Sequence, residues 1–330
     1  MRAGERPAGV GIDHIAYRLP PATQTLAELH SSGLLKSSPE LLSGFGFDLV
    51  HVAGEERHVD LAIGAARTLL CEAAIDPSAI DLVLFASGLS SSSMMGCEPA
   101  GAGAFIEVRD VMDLFRYPAS YLQHELGLDR AAVAGVDQQG CASLLSAIRL
   151  ARAMIVAEEG IDTVLCVGAD RLPAGASREQ IYNVISDGAG AALVRRNTPR
   201  NRILAARQIT KGALWEPGSI EHEIIAAYFP TARTLILETL EQAGLTIDDI
   251  AWILPHNVSL RSWEILLGLL GAPREKLFDR NIARVGHTIA ADNIINLRDA
   301  TDAGLVKPGD RIMLFTFGYG LNWSCMILEH

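Results

Sequence analysis

The sequence predicts an α/β protein of two similar halves, with strands layered between helices. Short apolar segments at 81–86, 132–135 and 163–168 alternate with stretches of helical composition. Strands apolar throughout are covered on both faces, as parallel strands are. In addition, Ile75-Asp76-Pro77-Ser78-Ala79-Ile80-Asp81-Leu82-Val83-Leu84-Phe85-Ala86 matches Leu245-Thr246-Ile247-Asp248-Asp249-Ile250-Ala251-Trp252-Ile253-Leu254-Pro255-His256 at one constant offset. A weaker repeat sets Cys141, its helix and strand 163–168 against Thr288 onward, a helix at 290–303 and a strand at 311–315. Duplicated halves pack about a pseudo-twofold axis, which brings the loops bearing Cys141, His256 and His287 to one pocket. The halves divide as 1–198, with the cysteine, and 199–330, with the histidines.

In chain order, 10–17 reads as a strand closed by Pro20-Pro21. Residues 22–47 look helical, interrupted by Gly33, and end in a flexible Gly44-Phe45-Gly46-Phe47. A helix at 60–74, a turn at Asp76-Pro77-Ser78 and a strand at 81–86 follow. The Ser-, Gly- and Met-rich stretch 87–103 reads as a surface loop whose part from Ser90 to Met95 borders an acyl pocket. A helix at 117–126 and a strand at 132–135 lead to Cys141. From 142 to 159 there is no Gly or Pro, so a helix starts within a residue or two of that thiol.

The chain has 330 residues, 49% of them hydrophobic and 20% charged, enough for a large core. Its net charge of -11 argues against a nucleic-acid surface, which needs clustered Lys and Arg. Five cysteines without CxxC spacing speak for a reducing cytoplasm and against a disulfide framework or a metal site. No signal-like core opens the chain, and no apolar run is expected to reach the length of a membrane span.

Three groups carry chemistry. In Val136-Asp137-Gln138-Gln139-Gly140-Cys141-Ala142 a cysteine sits at a helix start, where free backbone N–H groups stabilise a thiolate. A lone cysteine on an apolar helix is more often core filling. In Leu254-Pro255-His256-Asn257 a histidine ends a buried strand, commonly a structural position. In Gly286-His287-Thr288-Ile289-Ala290-Ala291-Asp292 a turn folds an imidazole back on a carboxylate, which fixes its tautomer and makes the other nitrogen a better base. Together they supply a nucleophile, two imidazoles and an orienting acid. The turn Phe317-Gly318-Tyr319-Gly320 is either an ordinary hairpin turn or a source of a backbone N–H, that of Tyr319, which joins that of Cys141 as an oxyanion hole.

These residues resemble the β-ketoacyl-ACP synthase III branch of the thiolase superfamily over essentially the whole chain. The likeness is carried by 76–81, Asp137 with Cys141, 186–191, Pro255-His256, 286–291, Lys307-Pro308-Gly309-Asp310 and 317–323. It implies the thiolase fold in five αβαβα layers, a homodimer, acylation of Cys141 by an acyl thioester, an acyl carrier protein as partner, and no cofactor beyond the carrier's phosphopantetheine or coenzyme A. It marks Asp187-Gly188-Ala189-Gly190 as structural and matches Arg261 to a carrier-docking arginine.

Family condensing enzymes use Cys, His and Asn. Here the Asn falls on His287, a poor copy of an amide donor and a good general base. Cys141, His287 and Asp292 are thus similar to the Cys-His-Asp acyltransferase offshoot of natural-product pathways, which passes an acyl group to a hydroxyl, amine or carrier thiol. On sequence grounds His256 and His287 are interchangeable between base and oxyanion donor. Where the family has a basic segment for coenzyme A phosphates, Gly46-Phe47-Asp48-Leu49-Val50-His51 is acidic and apolar, which favours a carrier-bound donor. The alternatives are a decarboxylative condensing enzyme with His287 in place of Asn, and a catalytically inactive assembly partner.

Overall fold

The computed structural model describes residues 9–89, 112, 115–214 and 221–330, so the segment from Ser90 to Met95 lies outside the described residues. The elements that position the site are strands β1 (Val10–Arg18), β2 (Leu82–Ala86), β3 (Ala132–Val136), β4 (Thr163–Asp170), β5 (Gly188–Arg196), β6 (Arg202–Thr210), β7 (Trp252–Leu254), β8 (Arg311–Gly318) and β9 (Asn322–Glu329). The helices are α1 (His58–Ala73), α2 (Pro118–Glu125), α3 (Ser143–Ala157), α4 (Glu221–Ala243), α5 (Leu260–Leu270) and α6 (Asp292–Asp302). The strands form one sheet in the order β7-β8-β9-β6-β1-β5-β4-β2-β3.

The duplication is visible in that order. Outward from the β1–β6 junction, where Gly11 faces Arg202, the first half runs β1-β5-β4-β2-β3 and the second β6-β9-β8-β7. The position of β3 is taken in the second half by an isolated parallel bridge of Leu277 to Ile253. The repeated sequence builds the same unit twice: α1, a 3-10 turn at Pro77–Ala79 and β2, then α4, a 3-10 turn at Ile247–Asp249 and β7. Asp76 caps the first turn by accepting from Ser78 N, and Thr246 and Asp249 cap the second reciprocally.

Three apolar clusters give the layering. α3 and α6 share one core with strands of both halves, through Leu144, Ile148, Ile294 and Leu297. α1 and α2 cover the other face of the first half through Leu61, Leu69 and Leu122, and α4 and α5 cover that of the second through Leu235, Ile236 and Trp263. Helix pairs thus alternate with the two half-sheets, the αβαβα arrangement.

The sequence expectation departs from the structure at three places. The sheet is mixed: β2 is parallel to β3 and β4, and β7 to β8, but β1, β5, β6 and β9 run antiparallel to their neighbours. For β8 and β9 the reason is connection length, since they are joined by a tight turn, whereas parallel neighbours need a crossover. The helix at 22–47 is instead two short helices, Leu26–Ser31 and Pro39–Gly44, each started by its own cap at Thr25 and Ser38. Gly44-Phe45-Gly46-Phe47 is packed, with Phe47 in the core and Phe45 O accepting from Leu260 N at 2.8 Å. Finally, Gly140–Ala157 is long and apolar enough to cross a membrane, its charges being Arg149 and Arg152 alone, but it is mostly buried inside the protein as a core helix.

Candidate active site

Cys141 lies in a 3-10 turn, Gly140–Ala142, that runs directly into α3, so it occupies the leading turn of a helix, in which Ala142 N donates to Gln139 O and Ser143 N to Gly140 O. The chain reaches that turn through two residues in the left-handed region, Gln138 (φ 63°) and Gly140 (φ 52°). The β8–β9 turn presses against it: a Cβ on Gly140 would lie 2.6 Å from Tyr319 N, and one on Gly318 would lie 2.5 Å from Cys141 N. Thr316 Oγ1 donates to Cys141 O at 3.2 Å, and Asn322 Nδ2 donates to Gln138 O at 3.3 Å. The end of the second half therefore clamps the cysteine of the first.

His287 Nε2 stands 3.3 Å from Cys141 Sγ, and its Nδ1 stands 2.5 Å from Asp292 Oδ2. Both are buried. Asp292 is held by three further donors: Asn257 N at 2.6 Å, Thr288 N at 2.7 Å and Thr288 Oγ1 at 2.6 Å. Burial alone would raise its carboxyl, but the His287 charge and these donors hold it below the usual carboxylate range. Burial pushes the His287 imidazole down, yet Asp292 and the Cys141 sulfur outweigh burial and hold it well above its ordinary value.

His256 follows β7, with its ring edge-on to Trp263 and Phe315 and 5.8 Å, centroid to centroid, from the His287 ring. Among the described residues neither ring nitrogen has a hydrogen-bond partner. Burial, aided by the His287 charge, pushes it down to about 3, so at neutral pH it is an uncharged imidazole with one N–H to donate. Cys141, His256, His287 and Tyr319 line one open pocket with Ile181, Tyr228, Phe229 and Phe317, about 640 Å³ including the solvent at its mouth. Arg261 is exposed on the first turn of α5, 3.0 Å from Glu264, and the adjacent Ser262 lines the pocket.

Sequence reasoning missed the amide layer beneath the site. Asn257 Nδ2 donates to Gly286 O, Asn296 Nδ2 to Asn257 Oδ1 and Pro255 O, and Asn293 Nδ2 to Leu254 O and Phe315 O. These bonds tie the β7 end to the His287 turn. No local sequence signal marks them; Asn293 and Asn296 are buried in the first turns of α6. Asp187, by contrast, is structural: its carboxylate binds buried Arg178 at 2.9 Å and accepts from Ala53 N and Leu172 N.

The 3-oxoacyl-[acyl-carrier-protein] synthase III family matches residues 137–212, and its C-terminal counterpart matches residues 240–330. The chain belongs to this synthase III family. It is therefore an enzyme of a catalytic, acyl-transferring and condensing family within the thiolase superfamily. The chain is 26% identical over 291 residues to a β-ketoacyl-[acyl-carrier-protein] synthase III of Aquifex aeolicus, covering 84% of this chain and 86% of that one. Among solved structures, the 3-oxoacyl-[acyl-carrier-protein] synthase III of Aquifex aeolicus superposes with a TM-score of 0.81 at 24% identity, over 98% of this chain and 100% of that one. The acyltransferase ChlB3 superposes with a TM-score of 0.80 at 22% identity, over 97% of each chain. Both share the synthase III, thiolase-type fold.

The titration shifts give an expected acid sensitivity. In the unfolded chain a histidine takes a proton near about pH 6.5, whereas buried His58, pushed down by burial to about 4, resists it in the fold. A depressed imidazole favours the unfolded state as pH falls below about 6.5, by up to about 1.4 kcal/mol per pH unit. Buried Asp170, raised by burial to about 6, works in the opposite direction, gaining stability as pH falls through that value. The His58 effect is isolated by comparing thermal midpoints of wild type and His58→Gln. From pH 7 to pH 4.5 the wild type is expected to lose more than the variant, and parallel curves would refute the assignment.

Proposed function

We propose that the chain is an acyltransferase that takes an acyl group from a carrier-bound thioester onto Cys141 and delivers it to a hydroxyl, amine or carrier thiol, in polyketide or other secondary metabolism. The observation that carries this reading is the unbroken line from Cys141 Sγ through His287 to the Asp292 carboxylate. An imidazole so held moves protons, whereas an enolate-stabilising amide does not.

The steps balance on these groups. The Cys141 thiolate attacks the thioester carbon, and the departing carrier thiol takes the proton of His287. Acylation removes the sulfur's charge, leaving neutral His287 oriented by Asp292 to take the acceptor's proton. The acceptor then displaces Cys141, restoring thiolate and imidazolium. The uncharged His256 donates to the thioester oxygen, beside the Cys141 N–H and, on the facing turn, that of Tyr319. Its low basicity, with Asp292 bound to the His287 ring and not to its own, supports His287 as the base.

Exposed Arg261, next in the chain to the pocket-lining Ser262, is assigned to carrier docking; charge reversal there is expected to raise KM for a carrier-bound donor and not for a small thioester. The half-exposed sheet-edge strand β3 is the surface assigned to a homodimer, expected in light scattering at twice the 35.4 kDa chain mass.

A second reading, decarboxylative condensation, is favoured by the name borne by the curated relatives, β-ketoacyl-[acyl-carrier-protein] synthase III. Incubating acylated protein with a malonyl carrier separates the two. Release of carbon dioxide coupled to loss of the acyl group would establish condensation; its absence, with transfer to a hydroxyl or amine, is the expected result.

A further inference from the structure

In a two-step transfer the acyl group stays on the cysteine while the carrier leaves and the acceptor enters. It must therefore lie out of the entry route. The open pocket occupies one side of Cys141. On another side the cysteine packs with Ile185 and Ile289 in a small apolar cluster, backed by Leu89 and Leu172. None of those four residues lines the open pocket.

Ile289 holds an unusual place there. Its φ is 61°, in the left-handed region where a β-branched side chain crowds its own backbone. Such a conformation persists only when the surroundings over-determine it, and here they do. On one side Thr288 N is fixed by Asp292 Oδ1 at 2.7 Å, and on the other Ala290 N by Asp170 Oδ2 at 3.3 Å. Asp170 Oδ1 also accepts from Gly88 N at 2.9 Å, Leu89 N at 3.1 Å and Ser87 Oγ at 3.1 Å. That carboxylate draws the 87–89 segment onto Ile289 so closely that a Cβ on Gly88 would lie 2.4 Å from Ile289 Cγ2.

We infer that Ile289 limits the length of the acyl group carried on Cys141 and confines it to short chains. The inference rests on the Cys141 acyl-enzyme proposed above. Loading forms the bond from Sγ to the acyl carbon, breaks the bond to the carrier sulfur and sends the His287 proton to that sulfur. The acyl tail then meets Ile289 across the cluster. A methylene that does not fit an apolar site reduces kcat/KM by roughly tenfold or more.

The test is intact-protein mass spectrometry of wild type, Ile289→Gly and Ile289→Ala with straight-chain N-acetylcysteamine thioesters from acetyl to decanoyl. Glycine relieves the φ and opens the space together; alanine opens the space while keeping a Cβ, and thermal midpoints check that both variants fold. Wild type is expected to load short chains only. Both variants are expected to shift the ratio of long-chain to short-chain loading upward by about tenfold or more. A wild type that loads long chains as readily as short ones, or folded variants with an unchanged ratio, would overturn the inference. A wild type that no chain length loads overturns the acyl-enzyme itself, and the inference with it.

Discussion

Cys141→Ala is expected to gain no acyl mass from any thioester and to lose turnover on the order of 10⁵-fold or more. The sulfur is the one described thiol beside an imidazole. Cys166 and Cys325 are buried in apolar surroundings, and burial pushes Cys325 up to about 12 and Cys166 higher still. Cys71 is exposed, and its helix lies outside the site. Loss of fold cannot mimic the result, because the change removes one atom from a small cluster at a cost of about 1 kcal/mol or less. The check is peptide mapping after acylation. A modified peptide containing Cys71 in place of Cys141, or undiminished turnover by Cys141→Ala, would remove the nucleophile from the account.

Asp292→Asn is expected to slow transfer on the order of 10³-fold while slowing loading much less. Asp292 accepts from four donors, the His287 ring among them. An amide supplies one acceptor oxygen and turns an N–H₂ toward donors, so the imidazole loses its fixed tautomer. Without the carboxylate charge, burial dominates the ring and its proton is lost at lower pH than in wild type. The loading step, which draws on the protonated ring, should therefore shift its alkaline limb downward. Transfer within about threefold of wild type, with an unmoved pH profile, would show the carboxylate to be structural.

Much of this was legible in the sequence because the chain repeats itself. The matched segments ending in Ala86 and His256 announced two equivalent strands, and a pseudo-twofold arrangement of such strands set Cys141, His256 and His287 toward one place. The five-residue step from His287 to Asp292 was enough to anticipate their contact, because a turn of that length closes on itself. Strand direction was less legible, since the antiparallel strands β5 and β9 are as buried and nearly as apolar as the parallel pair β2 and β4. The clamp of the β8–β9 turn on Gly140 was half visible: Phe317-Gly318-Tyr319-Gly320 read equally as a hairpin turn and as part of the site, and it is placed as both. The amides of Asn257, Asn293 and Asn296 were not legible, because their value lies in bonds between segments distant in the chain.

The central claim, that Cys141 carries an acyl group which His287 helps to pass to an acceptor without forming a carbon–carbon bond, is tested most directly by following the mass of the acylated protein. After loading from an acyl carrier, the added mass on Cys141 is expected to survive a malonyl carrier and to disappear on addition of a hydroxyl or amine acceptor, with the acyl group recovered as an ester or amide. Discharge by the malonyl carrier, with the acyl group recovered as a β-ketoacyl product, would contradict it.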